Sequence, residues 1–159
     1  MPESPGSEGP TPQPPHPGQP TEGPTAFTVA EATRLLPYLR STLAAVQSHL
    51  ADMRKLAGEM RRMEAVGRTP EGSLILAADR EATARRLARH QAECERSLRQ
   101  IQERGCQVKD PSIGLCDFPA VIDGQPVLLC WRIDEPAIAF YHGERDGYTG
   151  RRPIPPETP

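Results

Sequence analysis

The chain has 159 residues, 19 prolines and a formal net charge of −2, a length that fits a single folded domain. Nineteen basic residues stand against 21 acidic ones, and the Arg-rich segments carry almost no aromatics, so the balance speaks against a nucleic-acid binder. No run approaches the roughly twenty apolar residues of a membrane span, and the N-terminus lacks the basic start and apolar core of a secretory leader. The expectation is a soluble, cytoplasmic protein with reduced cysteines, without membrane or nucleic-acid partners.

Residues 1–25 hold nine prolines, no Lys or Arg, and Met1 as their single large apolar residue. Such a stretch buries too little surface to offset its ordering entropy, so it reads as a disordered, partly polyproline-II tail. Its PxxP spacings, for example Pro12–Pro15, match the pattern read by proline-binding grooves, but a tail this rich in proline produces them by chance, and it reads as a solvated spacer. The domain is expected over 26–152, with a second proline-rich tail at 153–159.

Thr28-Val-Ala-Glu31 is a capping box, with Phe27 at the staple position. A short helix is expected to reach Leu36, where Pro37 kinks or restarts it. Leu36, Leu39, Leu43, Val46, Leu50, Met53, Ala57 and Met60 then recur at spacings of three and four, a heptad seam that calls for a coiled-coil-like partner helix. Gly67 to Gly72 marks a reversing loop. A second helix, starting between Leu74 and Asp79, carries the thinner seam Ala84, Leu87, Gln91, Cys94, Leu98 and Ile101, and Gly105 is placed to end it. Two such helices form an antiparallel hairpin roughly 40 Å long.

From Gly114 onward, apolar runs alternate with turn signals. Strands are expected at 114–122, 126–133 and 137–142, with Asp123-Gly124 as a type I′ turn. Val127, Leu129, Trp131 and Ile133 share one face, Leu128, Cys130 and Arg132 the other, while Ile138, Phe140 and His142 line up together. Pro119 places its strand at an edge or a bulge. The fold class is therefore α+β: a long helical hairpin with a short kinked N-terminal helix, packed on a small three-stranded antiparallel meander.

Phe27-Thr28, Glu31-Ala32 and Leu36-Pro37, then Gly114-Leu115 and Asp117-Phe118-Pro119, form a recognisable series. Leu129-Cys130-Trp131, Glu135-Pro136, Tyr141-His142 and Gly147-Tyr148-Thr149-Gly150-Arg151 complete it. Over residues 27–152 the sequence resembles the bacterial family catalogued as domain of unknown function 2203. It departs from the family pattern at Asp134, where Gly is commoner, and at Tyr141, where Trp is commoner. The resemblance implies a fold and no activity.

Asp117, Trp131, Glu135, His142 and Arg151 are the candidate ligand-binding residues. Converging, the four polar ones would supply acid, base and anion anchor; otherwise Asp117 and Arg151 pair, His142 ends a strand in solvent and Glu135 decorates a turn. Trp131 reads as core before stacking platform. Cys106, Cys116, Cys130 and His142 are four zinc-type ligands, but without a CxxC pair, and with Cys116 and Asp117 on opposite faces, no metal site and no cofactor are expected. Two function classes remain: a non-enzymatic interaction module that forms a homodimer or docks on a protein partner, and a small-molecule- or metal-binding site on the sheet. The plain heptad seams favour the first.

Overall fold

The computed structural model describes residues 26–66 and 77–159; the proline-rich N-terminal tail and the loop expected at 67–72 lie outside the described residues. Helix α1 spans Val29–Val66 and helix α2 spans Ala77–Glu103. Five strands follow: β1 (Gln107–Asp110), β2 (Leu115–Ile122), β3 (Gln125–Arg132), β4 (Phe140–His142) and β5 (Arg152–Pro153). They form one antiparallel sheet in chain order. The molecule is α+β with a helical hairpin, and its sheet has five strands where three were expected.

The capping box forms as the sequence requires. Thr28 N–H donates to Glu31 Oε2 at 2.8 Å, and Glu31 N–H donates to Thr28 Oγ1 at 3.1 Å. Phe27 turns away from a staple inside the helix, its ring meeting Phe118 edge-on at 5.5 Å and pressing on Gly105. A Cβ at Gly105 would stand 3.0 Å from that ring, and its φ of 85° is the left-handed value that closes α2.

The restart expected as one outcome at Pro37 does not occur, and α1 runs through it as one helix. A proline inside a helix removes one backbone hydrogen bond and crowds the turn before it, a cost of about 3 kcal/mol. Ala32, Leu36, Leu39 and Leu43 on both sides of it are buried in one core with Ile101, Phe118, Leu129 and Trp131, and that shared burial holds the helix continuous. The α1 seam also drifts: Leu56 is buried, whereas Leu50 is only partly so. On α2 the inward line is Thr83, Leu87, His90, Cys94 and Ile101, so the expected Ala84 and Gln91 face solvent.

The inner face of the sheet, with Cys116, Phe118, Ala120, Val127, Leu129 and Trp131, closes this core. Arg40 ties helix to sheet, donating to the carbonyls of Ile133 (2.8 Å) and Glu135 (2.7 Å) while lying over the Trp131 ring. The β2–β3 turn has φ of 50° at Asp123 and 74° at Gly124, the left-handed pair that a type I′ turn needs. β1 pairs with β2 only as far as Asp117. Pro119 beyond it lies on a free edge, where its carbonyl accepts Phe27 N–H at 2.7 Å.

One strand expectation needs correction. Ile138 joins the helix-side core while Phe140 and His142 pair with Cys130 and Leu128 on β3, so the three do not share a face. Residues 153–159 touch the domain through two backbone hydrogen bonds. Ile154 N–H bonds the Ala139 carbonyl at 3.0 Å, and Val29 N–H at the start of α1 bonds the Pro159 carbonyl at 2.7 Å.

Candidate functional site

The helices cover one face of the sheet, and strand alternation sends every second side chain to the other. Asp117 on β2 stands directly opposite Cys130 on β3, and Leu128 stands opposite His142 on β4. An acid, a thiol and an imidazole from three adjacent strands therefore meet on the outer face. All three residues are buried, and their possible ligand atoms lie within 4.8 Å of one another. The chain after β4 folds back over them. Gly143 N–H donates to the Asp146 carboxylate at 3.1 Å, and a Cβ on Gly143 or Gly150 would run into Asp146, so small residues let this loop close tightly. Glu144, Gly147 and Tyr148 roof a cavity of about 290 Å³ whose floor includes Leu115, Asp117, Leu128, Cys130 and His142, with Lys109 at its side. A larger groove of about 410 Å³ lies along Leu98, Gln102, Gln107, Val108 and Pro111, where no titratable side chain offers chemistry.

His142 Nδ1 lies 2.7 Å from the Gly143 carbonyl. A carbonyl oxygen only accepts, so Nδ1 carries the proton and Nε2 is the nitrogen aimed at the cluster. Nε2 lies 3.2 Å from Asp117 Oδ2, while Asp117 Oδ1 is buried and accepts no hydrogen bond. Cys130 is fully buried. Burial, and then the negative charge of Asp117, push its thiol up to about 12, so the thiol does not serve as a nucleophile at neutral pH without a cation beside it.

Glu135 and Arg151 form a separate pair next door. Arg151 Nη2 donates to both Glu135 oxygens at 2.7 and 2.9 Å and to the Cys130 carbonyl at 3.3 Å. Its guanidinium lies over Phe140 and Tyr148, and Glu135 also accepts Arg132 N–H at 2.8 Å. This pair corrects the expected Asp117–Arg151 contact. β4 lies beside β3 and delivers His142 to Asp117, while the 3₁₀ turn Tyr148–Gly150 carries Arg151 past the cluster to the 134–136 turn. His142, expected in solvent, is 3 % exposed.

The candidate residues thus divide three ways. Asp117 and His142 meet, Glu135 and Arg151 make a clasp that fixes the chain over Cys130, and Trp131 is core, its indole N–H satisfied by the Glu135 carbonyl at 3.1 Å. The four-ligand set Cys106, Cys116, Cys130 and His142 is not assembled, because Cys106 and Cys116 lie in the helix-side core. Cys130 is the member that sequence reasoning left out of the site. Strand alternation had already put it on the opposite face from Trp131, and the partner it finds there, Asp117, depends on register.

A family model matches residues 25–154. The chain belongs to the family described as uncharacterized conserved protein (DUF2203). No curated protein and no solved structure matches it. The matched span includes both helices and all five strands, so the cluster and the clasp both lie within what defines the family. Among the described residues no helix is long and apolar enough to cross a membrane.

Proposed function

We propose that this DUF2203 chain is a ligand-binding protein whose site is the Asp117–Cys130–His142 cluster and the cavity above it, with the helical hairpin as its scaffold. The observation that carries this reading is the unsatisfied Asp117 Oδ1, held buried at the floor of a cavity beside a thiol and an imidazole. A buried carboxylate oxygen without a donor is costly, and groups of this kind are retained where a ligand supplies the missing contact. The cavity is small and mostly apolar-walled, the form usual for small-ligand sites with a few converging polar groups. The alternative of a docking module gains less support. The exposed large apolar residues among those described, Val66, Ile113, Val121 and Tyr148, lie on α1, the β1–β2 turn, β2 and the 3₁₀ turn rather than on the helix seams.

The test is a binding panel of divalent ions and of small acids, amines and aromatic fragments, read by amide NMR shifts on the full chain. At least one class is expected to move the amides of 115–117, 128–130 and 142–148 together. Leu128→Trp, which fills the cavity, is expected to abolish the response while circular dichroism shows the fold intact. A panel in which no member moves these amides overturns the reading.

A further inference from the structure

The protonation pattern of the cluster narrows the ligand. With its proton on Nδ1, a neutral His142 presents the bare Nε2 lone pair to a carboxylate oxygen 3.2 Å away. Two acceptors at that distance repel unless something positive sits on the Nε2 side. A proton shared between the two or a metal ion relieves that contact, and the tautomer already set by Gly143 is the one that metal-bound histidines adopt, the distal N–H held by a backbone carbonyl. We propose that Asp117, Cys130 and His142 bind a single divalent transition-metal ion of the zinc type, through one carboxylate oxygen, the Cys130 sulfur and His142 Nε2. This identification rests on the pocket reading above and specifies its ligand.

Donor type points the same way. Thiolate plus imidazole selects borderline-soft ions over Mg²⁺ and Ca²⁺, which take oxygen ligands. Tetrahedral bonds of about 2.0 Å to N and O place those two atoms about 3.3 Å apart, close to the 3.2 Å between Nε2 and Oδ2. The whole trio lies within 4.8 Å, so rotations of about an ångström bring the sulfur to its bond length of about 2.3 Å. Three protein ligands leave a fourth position, and the cavity of about 290 Å³ under Glu144 and Tyr148 is the space it faces. That is the pattern of zinc sites that keep one position open for water or a substrate donor.

Cobalt(II) is the probe, because tetrahedral Co(II) gives visible ligand-field bands and a bound thiolate adds a near-ultraviolet charge-transfer band. The full chain, first treated with a chelator and kept reduced, is expected to bind one equivalent with both signatures and to lose the cobalt spectrum on adding zinc. Cys130→Ser is expected to remove the charge-transfer band and Cys116→Ser to keep it. His142→Gln and Asp117→Asn are expected to weaken binding by more than the ten- to hundred-fold that loss of a supporting contact behind a ligand causes. Circular dichroism identifies any variant that fails to fold, and the remaining ligand variants then carry the comparison. A charge-transfer band that survives in folded Cys130→Ser, or wild-type affinity no better than that of His142→Gln, overturns the metal assignment. If the amides around the cavity respond to an organic fragment but not to zinc or cobalt, the metal assignment fails while the pocket stands; if they respond to nothing, both fail.

Discussion

A thiol sealed from water with the Asp117 carboxylate facing it holds its proton. Burial first, and that charge second, push Cys130 up to about 12. An unfolded-chain thiol ionises near pH 8.5, so above that pH the unfolded state gives up a proton that the native state keeps. Stability therefore falls as pH rises between roughly 9 and 12, at up to about 1.4 kcal/mol per pH unit for this one group. Cys130→Ala removes this group's share of the slope, and denaturant unfolding of the two proteins, both metal-free, at pH 8 and pH 10.5 measures the difference. Equal slopes would show that the thiol ionises as freely in the fold as outside it. The Glu135–Arg151 pair is mostly buried, with side chains 18 % and 11 % exposed. Glu135→Gln with Arg151→Gln is expected to show a coupling of about 1–3 kcal/mol, whereas Asp117→Asn with Arg151→Gln is expected to be additive, since those two residues do not pair. The sequence identified Asp117 and His142 as site residues by chemical type alone. It paired Asp117 with Arg151, and His142 took that place instead, because the partner depends on how β4 pairs with β3 across the Asp134–Ala139 turn.

Between elements, what was legible was whatever a local period or a turn residue determines. The capping box, Gly105 at the end of α2, the Asp123-Gly124 turn and the two faces of β3 all follow from neighbours within a few residues, and all formed. Pro37, the α1 seam past Val46 and the two outer strands did not follow. Pro37 is overruled by tertiary burial of Leu36 and Leu39, and β1 and β5 are too short for alternation to mark them. Past Val46 the buried line drifts off the heptad positions, with Leu56 buried and Ala57 only partly so. This drift sets an order for the leucines. Leu56→Ala, from a side chain 2 % exposed, is expected to cost about 2–5 kcal/mol, and Leu50→Ala, from a partly buried one, distinctly less. Urea midpoints in the reverse order would mean that the hairpin packs in the register of the heptads.

Across the whole molecule, burial is uneven along the hairpin, and stability should follow it. The half of α1 near the sheet supplies Ala32, Leu36, Leu39 and Leu43 to a core shared with Ile101 of α2 and the inner face of β2 and β3. Farther out, Val46, Leu56, Thr83 and Cys94 are the buried contacts between the helices, and Cys94 Sγ reaches the Val46 carbonyl at 3.8 Å. Beyond Leu56 no residue of α1 is buried, and residues 77–82 at the start of α2 are all exposed. Helical segments with few buried contacts open by local fluctuation, while those in the shared core exchange only on global unfolding. Hydrogen exchange is therefore expected to rank the helical amides in three steps. Amides of 36–46 and 97–103 should be slowest, with free energies close to the global value; 50–56 and 87–94 intermediate; 60–66 and 77–82 within about 1–2 kcal/mol of free exchange. The sheet amides of Cys116, Phe118, Leu129 and Trp131 belong with the slowest group, since the same side chains seal the core. Uniform protection from Val29 to Val66 would show that the far half of the hairpin is covered by something more than its own partner helix. That single result would return the docking-module reading to first place over the pocket.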